Sequence, residues 1–122
     1  MLEFLNISRL AREEARSLSY GQKKLMDLAA LLMPNPKMIL LDEPAGGVNP
    51  TLLATIVDHI NELNKRGLTV LIVEHNMNLV MEISHKVVVM AYGTVIAEGD
   101  PHTIQDDPAV LEAYLGGGQK DD

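Results

Sequence analysis

Apolar residues recur along this chain in two kinds of pattern, unbroken short runs and helical stripes, and the changes between them mark its elements. Leu25, Met26, Leu28, Ala29, Leu31, Leu32 and Met33 follow one another with few polar interruptions, which predicts a helix within 18–33 buried on most of its faces. Pro34 stops it. Met38-Ile39-Leu40-Leu41 is an unbroken apolar run with Pro34 and Pro36 before it and Pro44, Gly46 and Gly47 after it. Such a run predicts a strand over 38–42 buried on both faces. Leu52, Leu53, Ile56, Val57, Ile60 and Leu63 return to helical spacing. Asn49 and Pro50 suit the cap and first position of that helix, and Gly67 its end. His59 falls among Asp58, Asn61, Glu62 and Lys65 and is expected on the wet side. Leu68 to Val73 predicts a second buried strand. Strand, helix and strand in this order predict a parallel unit with a right-handed crossover.

The flanks read less regularly. Leu2, Phe4, Leu5, Ile7 and Leu10 predict a short helix, and Arg12 to Arg16 a loosely helical, solvated stretch. No cap precedes the first apolar residues, so the start resembles entry into the middle of a larger domain. Beyond the second strand, 76–84 predicts a short helix and 86–90 a third buried strand. Tyr92-Gly93 makes a turn, and 94–99 returns antiparallel. Asp100-Pro101 and Asp107-Pro108 each predict a capped short helix, the second ending at Gly116. The glycine-led tail, 116–122, is expected to be mobile. The class is α/β: a largely parallel sheet with flanking helices and a terminal β-hairpin.

The chemistry gathers at strand ends. Ligands of open parallel sheets sit beyond the carboxyl ends of the strands, where Asp42 and Glu43 fall on the first strand and Glu74 and His75 on the second. One carboxylate there can hold a hydrated Mg²⁺, and the other can orient or deprotonate a water. Alternatively, Asp42 or Glu43 caps the next segment. Ser19-Tyr20-Gly21-Gln22 has the S-x-x-Q spacing of a capping box. A helix start with free N–H groups, a hydroxyl and a glycine also suits an anion; from these residues alone an ordinary capped core helix is the favoured account. His85 has no evident partner, and His102 is expected to be exposed.

Composition narrows the field. A chain of 122 residues is the size of one domain. Aromatics are 3% against 47% hydrophobic residues, so the core must be aliphatic. The net charge of −7 argues against nucleic acid, where affinity rests on Lys and Arg meeting phosphates. The absence of cysteine excludes disulfides and thiolate chemistry. No run approaches the roughly 18 apolar residues of a membrane span, and the N-terminus lacks the pattern of a signal peptide.

Taken together, the motifs resemble a known family. Leu18-Ser19-Tyr20-Gly21-Gln22 resembles the signature motif of ATP-binding cassette (ABC) ATPases, whose usual form has Gly where Tyr20 stands. Met38 to Pro44 resembles their Walker B strand with its catalytic glutamate, Ala45 to Pro50 their D-loop, and Val73-Glu74-His75 their switch-histidine segment. The resemblance covers essentially the whole chain. Within the family, Tyr20 in the signature, the D-loop Ala45 to Pro50, Glu74-His75-Asn76-Met77 and the Tyr114-Leu115-Gly116 end are most similar to ATP-binding subunits of branched-chain amino acid importers. Urea importers and lipopolysaccharide exporters have related subunits.

The resemblance implies ATP and Mg²⁺ as cofactors. It implies that Asp42 holds Mg²⁺ through water, that Glu43 acts on the attacking water, and that His75 contacts the γ-phosphate. Ser19, Gly21 and Gln22 would meet, in trans, the γ-phosphate bound on a second ABC subunit, with Asn49 at the dimer seam. Transmembrane permease subunits would be the other partners, and the place of work the cytoplasmic face of the cell membrane. Asn49 stands where many members have Asp, and Gly46 where many have Ser.

One part of the pattern is missing. No G-x-x-x-x-G-K-[ST] loop occurs in the sequence, and that loop supplies the N–H groups and Lys that cradle the phosphates. The sequence is therefore expected to be the C-terminal part of a P-loop NTPase of the ABC type. Residues 1–33 would end its helical subdomain, and 34–115 would run from Walker B through the switch histidine to the hairpin. Almost no ATP turnover is expected of this chain alone, together with marginal stability or self-association. A different class of reading is a non-catalytic fragment that docks on a complete ABC subunit. A third, a small Rossmann-like nucleotide binder, requires a pyrophosphate beside the acid pair, which would repel it.

Overall fold

The computed structural model describes residues 1–115. In chain order these form 3₁₀ turns at Ser8–Leu10 and Ala15–Ser17, helix α1 (Tyr20–Leu32), strand β1 (Met38–Asp42), helix α2 (Pro50–Lys65) and strand β2 (Thr69–Val73). Then come helix α3 (Met77–Ile83), the hairpin β3 (Val87–Ala91) and β4 (Thr94–Gly99), and helices α4 (Pro101–Gln105) and α5 (Pro108–Leu115). The chain divides into two compact units, Met1–Glu74 and His75–Asp122. The expected tail, 116–122, lies outside the described residues.

In the first unit β1 and β2 pair in parallel, from Met38 opposite Thr69 to Asp42 opposite Val73. The strand–helix–strand reading of 38–73 thus holds. The expectation that both strands are buried on both faces does not. Ile39, Leu41, Val70 and Ile72 turn to the core, while Leu40 is 67% exposed, Leu71 48% and Val73 60%. Side chains alternate between the faces of a strand, and among the described residues only one face carries helices. A continuous apolar run is equally compatible with one covered face, so the sequence could not separate the two.

The core of this unit joins Leu25, Leu28, Ala29 and Leu32 of α1 with Ile56, Ile60 and Leu63 of α2, Ile39 of β1, and Leu5, Ile7 and Leu10 from the start of the chain. α1 buries only the stripe Leu25, Leu28, Ala29 and Leu32; Leu31 and Met33 are exposed. Its expected burial on most faces is therefore corrected to a single seam. The helix expected over the first apolar residues is also absent. Asn6 sits at φ 57°, and a left-handed residue interrupts a right-handed helix. Turns bring Leu5 and Ile7 into the core instead.

His59 is a second correction. It is buried, not on the wet side, and its ring centroid lies 5.2 Å from that of Phe4. It follows Ile56 by three positions and precedes Leu63 by four, so it shares their face of the helix. The N-terminal segment then covers it.

The second unit packs Val87 and Val89 of β3, Ile104 of α4 and Val110 of α5 into its own small core. β3 and β4 pair antiparallel, as the turn at Tyr92-Gly93 predicts. Among the described residues parallel pairing is confined to β1–β2. Val88 and Met90 are exposed, so β3, like β1, is buried on one face rather than two. The Tyr114 hydroxyl donates to the Met90 carbonyl at 2.8 Å, fastening α5 to the hairpin. His85 and His102 are exposed.

Candidate functional site

The carboxyl end of β1 runs into a tight turn, and that turn carries the candidate acids. Asp42 is the last residue of β1 and is exposed. Glu43 follows at φ 47°, a conformation that costs a non-glycine residue about 1–3 kcal/mol and persists only where the surroundings enforce it. Several contacts enforce it here. The Glu43 N–H donates to the Val73 carbonyl at 2.8 Å, extending the β1–β2 ladder by one bond, and the Gly46 N–H donates back to the Glu43 carbonyl at 2.9 Å. The Ala45 N–H donates to the Glu74 carboxylate at 3.1 Å. The Tyr20 hydroxyl donates to the Gly46 carbonyl at 3.1 Å. Gly47, at φ 69°, completes the turn; a Cβ there would lie 3.3 Å from the Tyr20 hydroxyl oxygen.

Asn49 then caps α2, its side chain accepting from the Leu52 N–H at 2.8 Å. Its cap role is therefore plain. The N-terminus of α1 is a complete capping box. The Ser19 hydroxyl accepts from the Gln22 N–H at 3.2 Å, and the Gln22 carbonyl oxygen accepts from the Ser19 N–H at 2.9 Å. Each of these side chains accepts within the box, which leaves the hydroxyl proton and the amide N–H₂ of Gln22 as donors. Gly21 has a packing reason for its bareness: a Cβ there would lie 2.6 Å from a terminal carbon of Leu52. The turn thus brings Tyr20, from the middle of the capping box, onto the loop that follows Asp42 and Glu43.

Sequence reasoning placed Glu74 at the strand end without a task. The structure gives it one, holding the Ala45 N–H. It missed Tyr20 as a link and Lys24 as a neighbour of the acids. Lys24, Asp27, Leu31, Asp42 and Pro44 are among the residues lining an open pocket of about 130 Å³. Lys24 also lies over the Tyr20 ring, 5.6 Å from its centroid. The signal available was spacing, since Tyr20, Lys24 and Leu28 follow one another at four-residue intervals. This pocket is smaller than the roughly 300–1,000 Å³ of a typical small-molecule site, so it does not enclose a nucleotide by itself. His75 opens the second unit and is exposed.

Among the described residues no group of His, Asp and Glu side chains is placed to form a metal cage. The donor set, Asp42 with Glu43 next to it, fits Mg²⁺ in its usual manner, with one or two carboxylates, several waters and substrate phosphates.

Comparison with known proteins bears on the family and the fold. A family profile described as an AAA domain, putative AbiEii toxin, matches residues 2–82, and one described as a branched-chain amino acid ATP-binding cassette transporter matches residues 94–120. A probable branched-chain amino acid transport ATP-binding protein, LivG, of Archaeoglobus fulgidus is 43% identical over 95% of this chain and 45% of its own length. The high-affinity branched-chain amino acid transport ATP-binding protein BraF of Pseudomonas aeruginosa is 40% identical over 94% of this chain and 46% of its own. A solved ATP-binding cassette of an ABC transporter, in its ADP conformation, superposes with a TM-score of 0.85 at 43% identity, covering 94% of this chain and 47% of that one. The chain spans about half the length of the curated relatives it matches. It belongs to the family of ABC transporter ATPases, among which it is similar to the ATP-binding proteins of branched-chain amino acid transport.

Proposed function

We propose that this chain supplies the signature and hydrolytic elements of an ATP-binding subunit that drives import, of branched-chain amino acids by analogy with its relatives. The observation that carries the reading is the enforced left-handed Glu43 at the end of a parallel strand, directly after Asp42. Asp42 would hold Mg²⁺ through water, and Glu43 would orient or deprotonate the attacking water. His75 would contact the γ-phosphate. Bound Mg²⁺ would neutralise charge developing on the phosphates; the chain's own part is to aim carboxylates at metal and water.

Ser19, Gly21 and Gln22 would act on the nucleotide of a second ABC subunit, with Asn49 near the seam. Donors left over by the capping box suit an anion, and the helix dipole adds to them. Permease subunits would be the membrane-embedded partners. Among the described residues no helix is long and apolar enough to cross a membrane; a peripheral place on the cytoplasmic face would follow from the analogy with transporter ATP-binding proteins.

The chain carries no G-x-x-x-x-G-K-[ST] loop, and the pocket beside Asp42 is too small for a nucleotide. Alone, it would turn over almost no ATP; it would work by docking on a subunit that holds the phosphates. The test is association with a complete ABC ATP-binding subunit, followed by sedimentation. Complex formation that needs Mg-ATP and is lost in Ser19→Arg supports the reading. Binding indifferent to both counts against it.

A further inference from the structure

Tyr20 stands where the signature motif usually has glycine, and the proposed roles leave it without a task. It does not fill the core, being 55% exposed. Its ring lies against Gly47, its hydroxyl donates to the Gly46 carbonyl, and Lys24 covers the ring from α1. Gly46 and Gly47 belong to the turn that begins with left-handed Glu43. The hydrogen bonds of Glu43 with Val73 and Gly46, and of Ala45 with Glu74, tie that turn to β2 and to itself. The Tyr20 bond ties it instead to the first residue of α1.

We propose that Tyr20 is a positioning residue: its hydroxyl fastens the Glu43 turn to the N-terminus of α1, so that engagement of that N-terminus steadies the acid in the same chain. The inference rests on the reading of Glu43 as the hydrolytic acid and of Ser19–Gln22 as the phosphate-facing end. Gly47 is part of the device, since any Cβ would crowd the phenol and the left-handed backbone disfavours one. Ser19 and Gln22 are committed to each other in the capping box. Tyr20, between them in sequence, passes their placement to the turn.

The experiment is residue-resolved amide hydrogen exchange on the full chain, comparing wild type with Tyr20→Phe. Phenylalanine keeps the ring over Gly47 and under Lys24 and removes only the hydroxyl. The Gly46 and Val48 amides, both bonded within the turn, are expected to exchange about tenfold faster in the variant. Leu25 to Leu32 should change less than twofold. Unchanged turn amides would overturn the proposal. So would a rise shared equally by α1, because that is what general loss of stability produces.

A second arm adds a complete ABC ATP-binding subunit with Mg-ATP. Slower exchange at Ala45 and Gly46 in wild type, abolished in Tyr20→Phe although the complex still forms, is the expected outcome. Equal slowing in both overturns the coupling. If no complex forms with wild type, the docking in trans fails and the coupling with it. The hydrogen-bond link itself is then judged by the first arm, which needs no partner.

Discussion

The rings of Phe4 and His59 lie 5.2 Å apart and tilted by 52°, so the N-terminal segment closes over a histidine whose Nε2 is buried and has no hydrogen-bond partner among the described contacts. Arg66 lies on the same Phe4 ring, its guanidinium carbon 4.7 Å from the centroid. Burial holds the His59 pKa below its ordinary 6.5, and the nearby Asp58 offsets part of that. The neutral ring is therefore favoured in the folded state. This contribution to stability is fully present above pH 6.5 and is lost as the pH falls from there through the lowered folded value. Thermal melts from pH 8 down to pH 5 should show Tm falling most below about pH 6.5. His59→Phe should flatten that part of the curve. A wild-type Tm indifferent to pH in this range would remove the argument.

The bare face of the β1–β2 pair predicts self-association. Leu40, Leu71 and Val73 make an exposed apolar surface beside a strand edge that is unpaired among the described residues, a combination that invites pairing. The purified chain is expected to sediment as more than a monomer at micromolar concentration. Leu40→Lys with Leu71→Thr should shift it toward monomer without lowering Tm by more than a few degrees, since neither side chain is in the core. A sharp monomeric peak for wild type would contradict this.

Gly21 separates packing from propensity. In the first turn of α1, alanine is intrinsically better than glycine by about 0.5–1 kcal/mol. Here the added methyl would meet Leu52 at 2.6 Å, and overpacking of this kind costs about 1–3 kcal/mol. Gly21→Ala alone should therefore destabilise by about 1 kcal/mol. In a Leu52→Ala background the same change should stabilise. A double-mutant cycle by chemical denaturation reads both signs; equal effects in the two backgrounds would mean the contact is relieved elsewhere.

These cases show what the sequence could and could not convey. Caps, breakers and strand ends were legible because each rests on a few adjacent residues: Ser19 with Gln22, Asn49 with Pro50, Asp42 with Glu43. The parallel direction of β1 and β2 followed from strand, helix and strand in that order, while their register from Met38 to Asp42 comes from the fold. The exposed faces of Leu40, Leu71 and Val88 were not legible, because an apolar run looks the same whether its second face is covered or bare. His59 was misplaced because its polarity outweighed its helical position, and its cover, Phe4, comes from 55 positions away in the chain. The Tyr20–Gly46 bond was hidden for the same reason, since only the fold brings a helix start to a turn after a strand.

The Tyr114 clamp in the second unit is a smaller test. Its hydroxyl donates to the Met90 carbonyl at 2.8 Å, and a net contribution of about 1 kcal/mol is typical of such a bond. Tyr114→Phe should lower stability by about that amount and loosen α5 against the hairpin, seen as faster exchange in α5 with β1 and β2 unchanged.

The central claim is the proposal that Glu43 is the hydrolytic acid of an ABC-type site and that these 122 residues, which contain no G-x-x-x-x-G-K-[ST] loop, turn over almost no ATP alone. Mg-ATP hydrolysis by the purified chain, measured beside its Glu43→Gln variant, bears on both halves. Rates indistinguishable from buffer in both proteins are expected. Turnover in wild type that disappears in Glu43→Gln would mean that the chain builds a working site without a phosphate loop, and the claim would fall.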